Sequence, residues 1–124
     1  MIKIVALIKR RADVTLDAFR DYYEHSHAPL FQRSIPDDVA AVITHYVQNH
    51  AVHLGDGSTD APYDCITEIG FDNIEGMHTW SRWYLGEEGK VLRDDEERFM
   101  DTSRRVVIVT DEHCIGTDER LISE

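Results

Sequence analysis

Ile2-Lys3-Ile4-Val5-Ala6-Leu7-Ile8 and, far along the chain, Arg105-Val106-Val107-Ile108-Val109-Thr110 decide the fold. Both are short, nearly continuous apolar runs rich in β-branched residues, the pattern of strands buried on both faces. Between them the signals alternate. Thr15 caps a helix from about Leu16 toward Pro29, with Asp17 at the positive end of its dipole. Val39 to His50 reads as a second strand and Tyr63 to Phe71 as a third, joined by a long loop containing the turn signal Gly55-Asp56-Gly57-Ser58. Asp72 or Asn73 caps a second helix through Ile74, Met77, Trp80 and Tyr84 that stops at Gly86, and a shorter helix follows from about Val91 to Asp101.

The order β-α-β-β-α-(α)-β predicts an α+β, ferredoxin-like fold: a four-stranded antiparallel sheet with its helices on one face. Such a sheet should have one wet face and alternating strands. Because the first and fourth strands are apolar on both sides, the second face must also be covered, most simply by sheet-to-sheet homodimerisation. The expected organisation is a single domain over residues 1–110 followed by a polar tail over 111–124, which could share in the covering.

Composition narrows the partners. The 124 residues carry 42% hydrophobic and 30% charged side chains, ordinary for a globular domain, and a formal charge of −11 that disfavours nucleic acid and anionic membrane surfaces. No apolar run approaches a membrane span, and Met1-Ile2-Lys3 leads into strand sequence instead of a signal peptide. Cys65 and Cys114 have no metal-type spacing, which makes a reducing cytoplasmic setting the expectation.

Chemistry-bearing residues concentrate in Tyr22-Tyr23-Glu24-His25-Ser26-His27-Ala28-Pro29-Leu30. Leu16, Phe19, Tyr23, His27 and Leu30 recur at helical spacing and share the inward face, whereas His25 points away. In the second strand, alternation sends Tyr46 and His50 to one side and His45, Val47 and Asn49 to the other. Glu68 lies mid-strand between Ile66 and Gly70, where a buried polar group needs partners, and a cavity between sheet and helices would supply them. Asp95 falls between Leu92 and Phe99 on an inward helical stripe. It can hold a histidine's tautomer, or else pair with an arginine such as Arg20 or cap a loop. Trp80, Trp83 and Tyr84, with Tyr23 and Phe19, can wall an aromatic site or be plain core. Metal sites are disfavoured: His25 and His27 splay apart, and His50 and His53 lack an evident third ligand.

These residues resemble the EthD-domain family, within the wider group of dimeric α/β-barrel proteins. The resemblance is carried by Leu7-Ile8-Lys9-Arg10, Phe19 through Tyr23, His27-Ala28-Pro29-Leu30, Tyr46-Val47-Gln48-Asn49-His50, Tyr63-Asp64, Glu68 with Phe71-Asp72, and Asp95-Glu96 with Phe99. It implies a monomer whose sheet packs on a partner's to close a barrel, and chemistry without a metal or organic cofactor in a pocket between helices and sheet. It further implies acid–base work such as cyclisation, dehydration or isomerisation on an aromatic, polyketide-like or cyclic small molecule. A monooxygenase-like activity and a non-catalytic accessory or ligand-binding dimer are the alternatives. The family's histidine maps to His27, and its strand motif to Tyr46, Asn49 and His50. The expected catalytic set is His27, Tyr46 and His50, with Tyr23, Phe19, Glu68, Trp80, Trp83 and Asp95 contacting substrate.

Overall fold

Alternating side chains on the strands sort onto two faces once the sheet is formed. The computed structural model describes residues 1–55 and 61–116. Strands β1 (Ile2–Ile8), β2 (His45–His50), β3 (Cys65–Phe71) and β4 (Val106–Asp111) form one antiparallel sheet in the order β2-β3-β1-β4. All the helices pack on one side of it, as the ferredoxin-like order requires. Ile4 faces Ile69 and Ala6 faces Thr67 on the helix side, while Lys3, Val5 and Glu68 alternate onto the other.

The helical stretch over residues 16–34 does not end at Pro29. It runs as α1 (Leu16–Tyr22), a π-helical turn (Tyr23–His27) and α2 (Ala28–Ser34). Thr15 Oγ1 accepts from the Ala18 N–H at 3.1 Å, as its cap position predicts. Within the wide turn the Ala28 N–H reaches back to the Tyr23 carbonyl. Pro29, which has no N–H to give, is thereby placed in the first turn of a fresh α-segment, where a missing donor costs least.

The second strand also starts later than its apolar pattern implies. Pro36 introduces α3 (Asp37–Ala40), whose first turn carries Asp37 and Asp38, so that Val39 is buried from a helix and β2 begins at His45. Tyr63 precedes β3. Asn73, not Asp72, caps α4 (Ile74–Leu85), its side chain accepting from the Gly76 N–H at 2.9 Å. Helix α5 (Lys90–Glu96) is shorter than expected and unwinds into a turn that returns Met100 to a bridge with Arg10. The α4–α5 corner is tight: a Cβ at Gly89 would lie 2.2 Å from the Tyr84 carbonyl, and the Arg93 guanidinium donates to the carbonyls of Tyr84 and Gly86.

Two apolar clusters lie between helices and sheet. One gathers Ile8, Phe19, Tyr23, Cys65, Phe99 and Met100; the other gathers Phe31, Val39, Ile69, Phe71, Trp80 and Leu92. Buried Asp64 fixes the far end of β1, accepting from the Arg10 N–H at 2.8 Å and the Arg10 guanidinium at 2.7 Å. The start of the tail is pinned as well, because the Glu112 N–H donates to the Met1 carbonyl at 2.8 Å. The remainder of the tail from 117, and the Asp56-Gly57-Ser58 part of the loop signal, lie outside the described residues. Among the described residues no helix is long and apolar enough to cross a membrane.

Candidate active site

A cleft of about 320 Å³ opens between the sheet and the α4–α5 corner, drawing residues from both clusters. Its floor is Ile4, Ala6, Ile8, Thr67, Ile69 and Val107, and its wall is Trp80, Ser81, Tyr84 and Leu85. Tyr23, Glu96, Met100 and Arg105 complete it. The volume falls at the small end of ligand sites.

His27 sits behind this cleft. The π-helical turn buries both Tyr23 and His27, and the imidazole is only 3% exposed. Its Nδ1 lies 2.8 Å from Asp95 Oδ2, and its Nε2 lies 3.6 Å from Glu96 Oε2. A carboxylate only accepts, so Nδ1 donates to Asp95. Asp95 also receives the Tyr22 hydroxyl at 2.5 Å. The inward position read for Asp95 is thus occupied by a histidine partner, not by Arg20, which pairs with Glu24 instead.

Glu96 is the charged group that reaches from this dyad into the cleft. Its Oε1 accepts from Tyr84 and from Arg105 at 3.0 Å. Burial pushes the carboxyl up, but hydrogen bonds from His27 and Tyr84 and the Arg105 charge outweigh it and hold Glu96 below the ordinary carboxylate range. Burial and the neighbouring Glu96 charge push the Tyr84 phenol up. Glu96 is therefore an anion at neutral pH, positioned to accept a proton.

Tyr46 and His50 do share a face, as alternation requires, but neither lines the cleft. They connect to it through Gln48. His50 Nε2 donates to Gln48 Oε1 at 2.9 Å, and Gln48 Nε2 donates to the Tyr46 hydroxyl at 3.0 Å and to the Tyr23 carbonyl at 3.3 Å. The carbonyl contact fixes which end of the Gln48 amide carries the protons. Tyr46 next neighbours the Tyr23 hydroxyl, and Tyr23 Oη lies 2.6 Å from Thr67 Oγ1. Burial raises the Tyr46 phenol to about 12 and lowers His50 below the usual imidazole value.

The remaining residues divide. Tyr23 and Trp80 line the cleft. Phe19 is fully buried core, and Trp83 packs behind Trp80 with ring centroids 5.7 Å apart, outside the lining. Glu68 is on the opposite face of the sheet from the cleft, held by Lys3 at 2.6 Å and Asn49 at 2.9 Å. Alternation identifies its companions but not which face the helices cover. Sequence reasoning missed Glu96, Arg105 and Thr67 as cleft groups. Glu96 directly follows Asp95, so a helical period cannot turn both inward; the imidazole between them makes both positions useful. Among the described residues, no group of three or more His, Cys, Asp or Glu side chains could hold a metal ion.

Fold and cleft together define a ferredoxin-like α+β domain with a ligand-sized space between sheet and helices. The chain belongs to the EthD-domain family, whose profile matches residues 11–103. Solved structures share the architecture. An ethyl tert-butyl ether d (EthD) family protein from Bacillus halodurans C-125 is 23% identical, with a TM-score of 0.63 over 91% of this chain and 99% of that one. An EthD-like protein from Ralstonia eutropha JMP134 is 12% identical, with a TM-score of 0.64 over 96% of each chain. A dimeric protein of unknown function and ferredoxin-like fold from Bacteroides fragilis NCTC 9343 is 16% identical, with a TM-score of 0.54 over 90% and 95%. No curated protein matches significantly.

Proposed function

We propose that the protein is a cofactor-independent acid–base enzyme that moves a proton on a small cyclic or aromatic substrate held in the helix–sheet cleft. The observation that carries this reading is the His27 imidazole lying between two buried carboxylates, one of which, Glu96, opens into the cleft. Glu96 takes a proton from a carbon next to the substrate's carbonyl and returns it to the substrate at another position, with His27 Nε2 holding its far oxygen at 3.6 Å. His27 thus acts through Glu96, while Tyr46 and His50 support the hydroxyls of the cleft floor from behind. Isomerisation, dehydration and cyclisation all use such a step.

The protein works, on this reading, as a homodimer joined through the open sheet face, where Ile66, Val106 and Ile108 are 42%, 40% and 50% exposed. Free Cys65 and Cys114 suit the cytoplasm. A second reading, a ligand-binding accessory dimer, draws on the saturation of Glu96 by Tyr84, Arg105 and His27, which makes it a weak base.

Hydrogen exchange separates the two. Ketones and lactones that raise the melting temperature are incubated with the protein in D2O, and loss of the proton beside the carbonyl is followed by NMR. Catalysed exchange is expected in the wild type, about 10²-fold or more slower in Glu96→Gln and in His27→Ala. A ligand that binds without exchanging, or a folded His27→Ala protein at full rate, would leave the accessory reading in its place.

A further inference from the structure

We propose that the cleft selects an uncharged, carbonyl-bearing ring compound whose oxygen is received by the Tyr23–Thr67 hydroxyl pair on its floor. This deepens the reading above and rests on it for the direction of the substrate's C–H toward Glu96.

Charge is the first observation. Among the lining residues the ionised groups are Glu96 and Arg105, and they are bonded to each other at 3.0 Å. An anionic ligand would have to compete with Glu96 for that guanidinium and would be repelled by its charge; a cationic one would meet Arg105. Ile4, Ala6, Ile8, Ile69, Trp80 and Val107 offer apolar surface to a neutral ring.

The hydroxyl pair is the second. Tyr23 and Thr67 are 3% and 6% exposed, and at 2.6 Å one hydroxyl proton is used between them. The other needs an acceptor. Gln48 Nε2, whose orientation the Tyr23 carbonyl fixes, feeds a proton into the Tyr46 oxygen. A phenol is the better donor and an aliphatic alcohol the better acceptor, so within the pair Tyr23 donates to Thr67. The Thr67 proton remains at the end. Among the described residues its other neighbour is the Cys65 thiol at 3.6 Å, a weak acceptor. A carbonyl oxygen in the cleft is a stronger acceptor than that thiol, so binding one gives the Thr67 donor a better partner. Thr67 is thus a ligand-binding residue with Tyr23 as its positioning partner.

Calorimetric titration of the full chain with three naphthalenes of one shape tests this: 2-acetylnaphthalene, 2-ethylnaphthalene and 2-naphthoate. The ketone is expected to bind about tenfold tighter than the hydrocarbon and at least tenfold tighter than the carboxylate. Thr67→Val should erase the ketone's advantage while leaving 2-ethylnaphthalene within twofold, and Thr67→Ser should restore it. Equal or tighter binding of 2-naphthoate, or an unchanged ketone preference in Thr67→Val, overturns the proposal and leaves the enzyme reading standing. Failure of all three to bind removes the cleft as a ligand site and both readings with it. The expected preferences without hydrogen exchange would remove the enzyme alone.

Discussion

The two faces of the sheet solve burial in opposite ways. On the helix side, Ile4, Ile69 and Phe71 meet α2, α4 and α5, and the polar groups that remain are tied into chains ending at the cleft. On the other side no element of the described chain covers the sheet. Val106 and Ile108 stay exposed, yet beside them Lys3 is only 7% exposed and binds both Glu68 and Glu112. Over β1 and β3 one face is covered by its own chain and keeps an inner space, though Val107 and Val109 of β4 stay exposed on it; the other is an apolar surface around an ion network and calls for an external cover. The difference separates what the chain needs in order to fold from what it needs in order to assemble.

The comparison can be broken at its strongest point first. Phe19→Ala removes a fully buried ring from the helix side and should cost about 3–5 kcal/mol in urea unfolding, without altering assembly. Ile108→Asp on the open face should do the reverse. It is expected to weaken the dimer about a hundredfold or more, roughly 3 kcal/mol, as read by concentration-dependent light scattering, with the monomer's fold intact. A monomeric wild type would remove the external cover from the account.

The smallest effect is the most diagnostic of the open face. Hydrogen bonds that the Lys3 ammonium donates to Glu112 and Glu68 raise it, and Lys3 in turn lowers Glu68 from its ordinary 4.5. Glu68's share of stability is thus present above pH 4.5 and is lost as pH falls through its lower folded value. Lys3's share is present below its ordinary 10.5 and is lost as pH rises through its higher folded value. Lys3→Met should therefore be less stable than wild type by about 1 kcal/mol near pH 7, with the gap closing towards both extremes. A gap independent of pH would assign the loss to packing.

Much of this was legible in the sequence. Strand periodicity and element order give the four-stranded sheet, Thr15 marks the first helix, and alternation correctly pairs Tyr46 with His50, whereas β4, read as buried on both faces, is exposed along Val106 to Val109. What was not legible depends on contacts that no period encodes. Pro29 has the look of a stop until the wide turn before it is known. Val39 joins a strand pattern until Pro36, Asp37 and Asp38 are weighed as a helix start. Glu68 was assigned to the cavity because alternation leaves open which face the helices cover. Glu96 stands beside Asp95, and only a ring placed between the two shows why both are buried.

The widened turn at Tyr23–His27 has a further consequence. It acts as a phase shifter, the equivalent of one extra residue slipped into an otherwise α-helical count. Phe19, before it, and Tyr23, its first residue, belong to one apolar cluster; Phe31, after it, belongs to the other. Removing a single residue there would turn everything beyond it by about 100°. One helix serves two cores because its two halves are out of step, and the cleft lies where those cores meet.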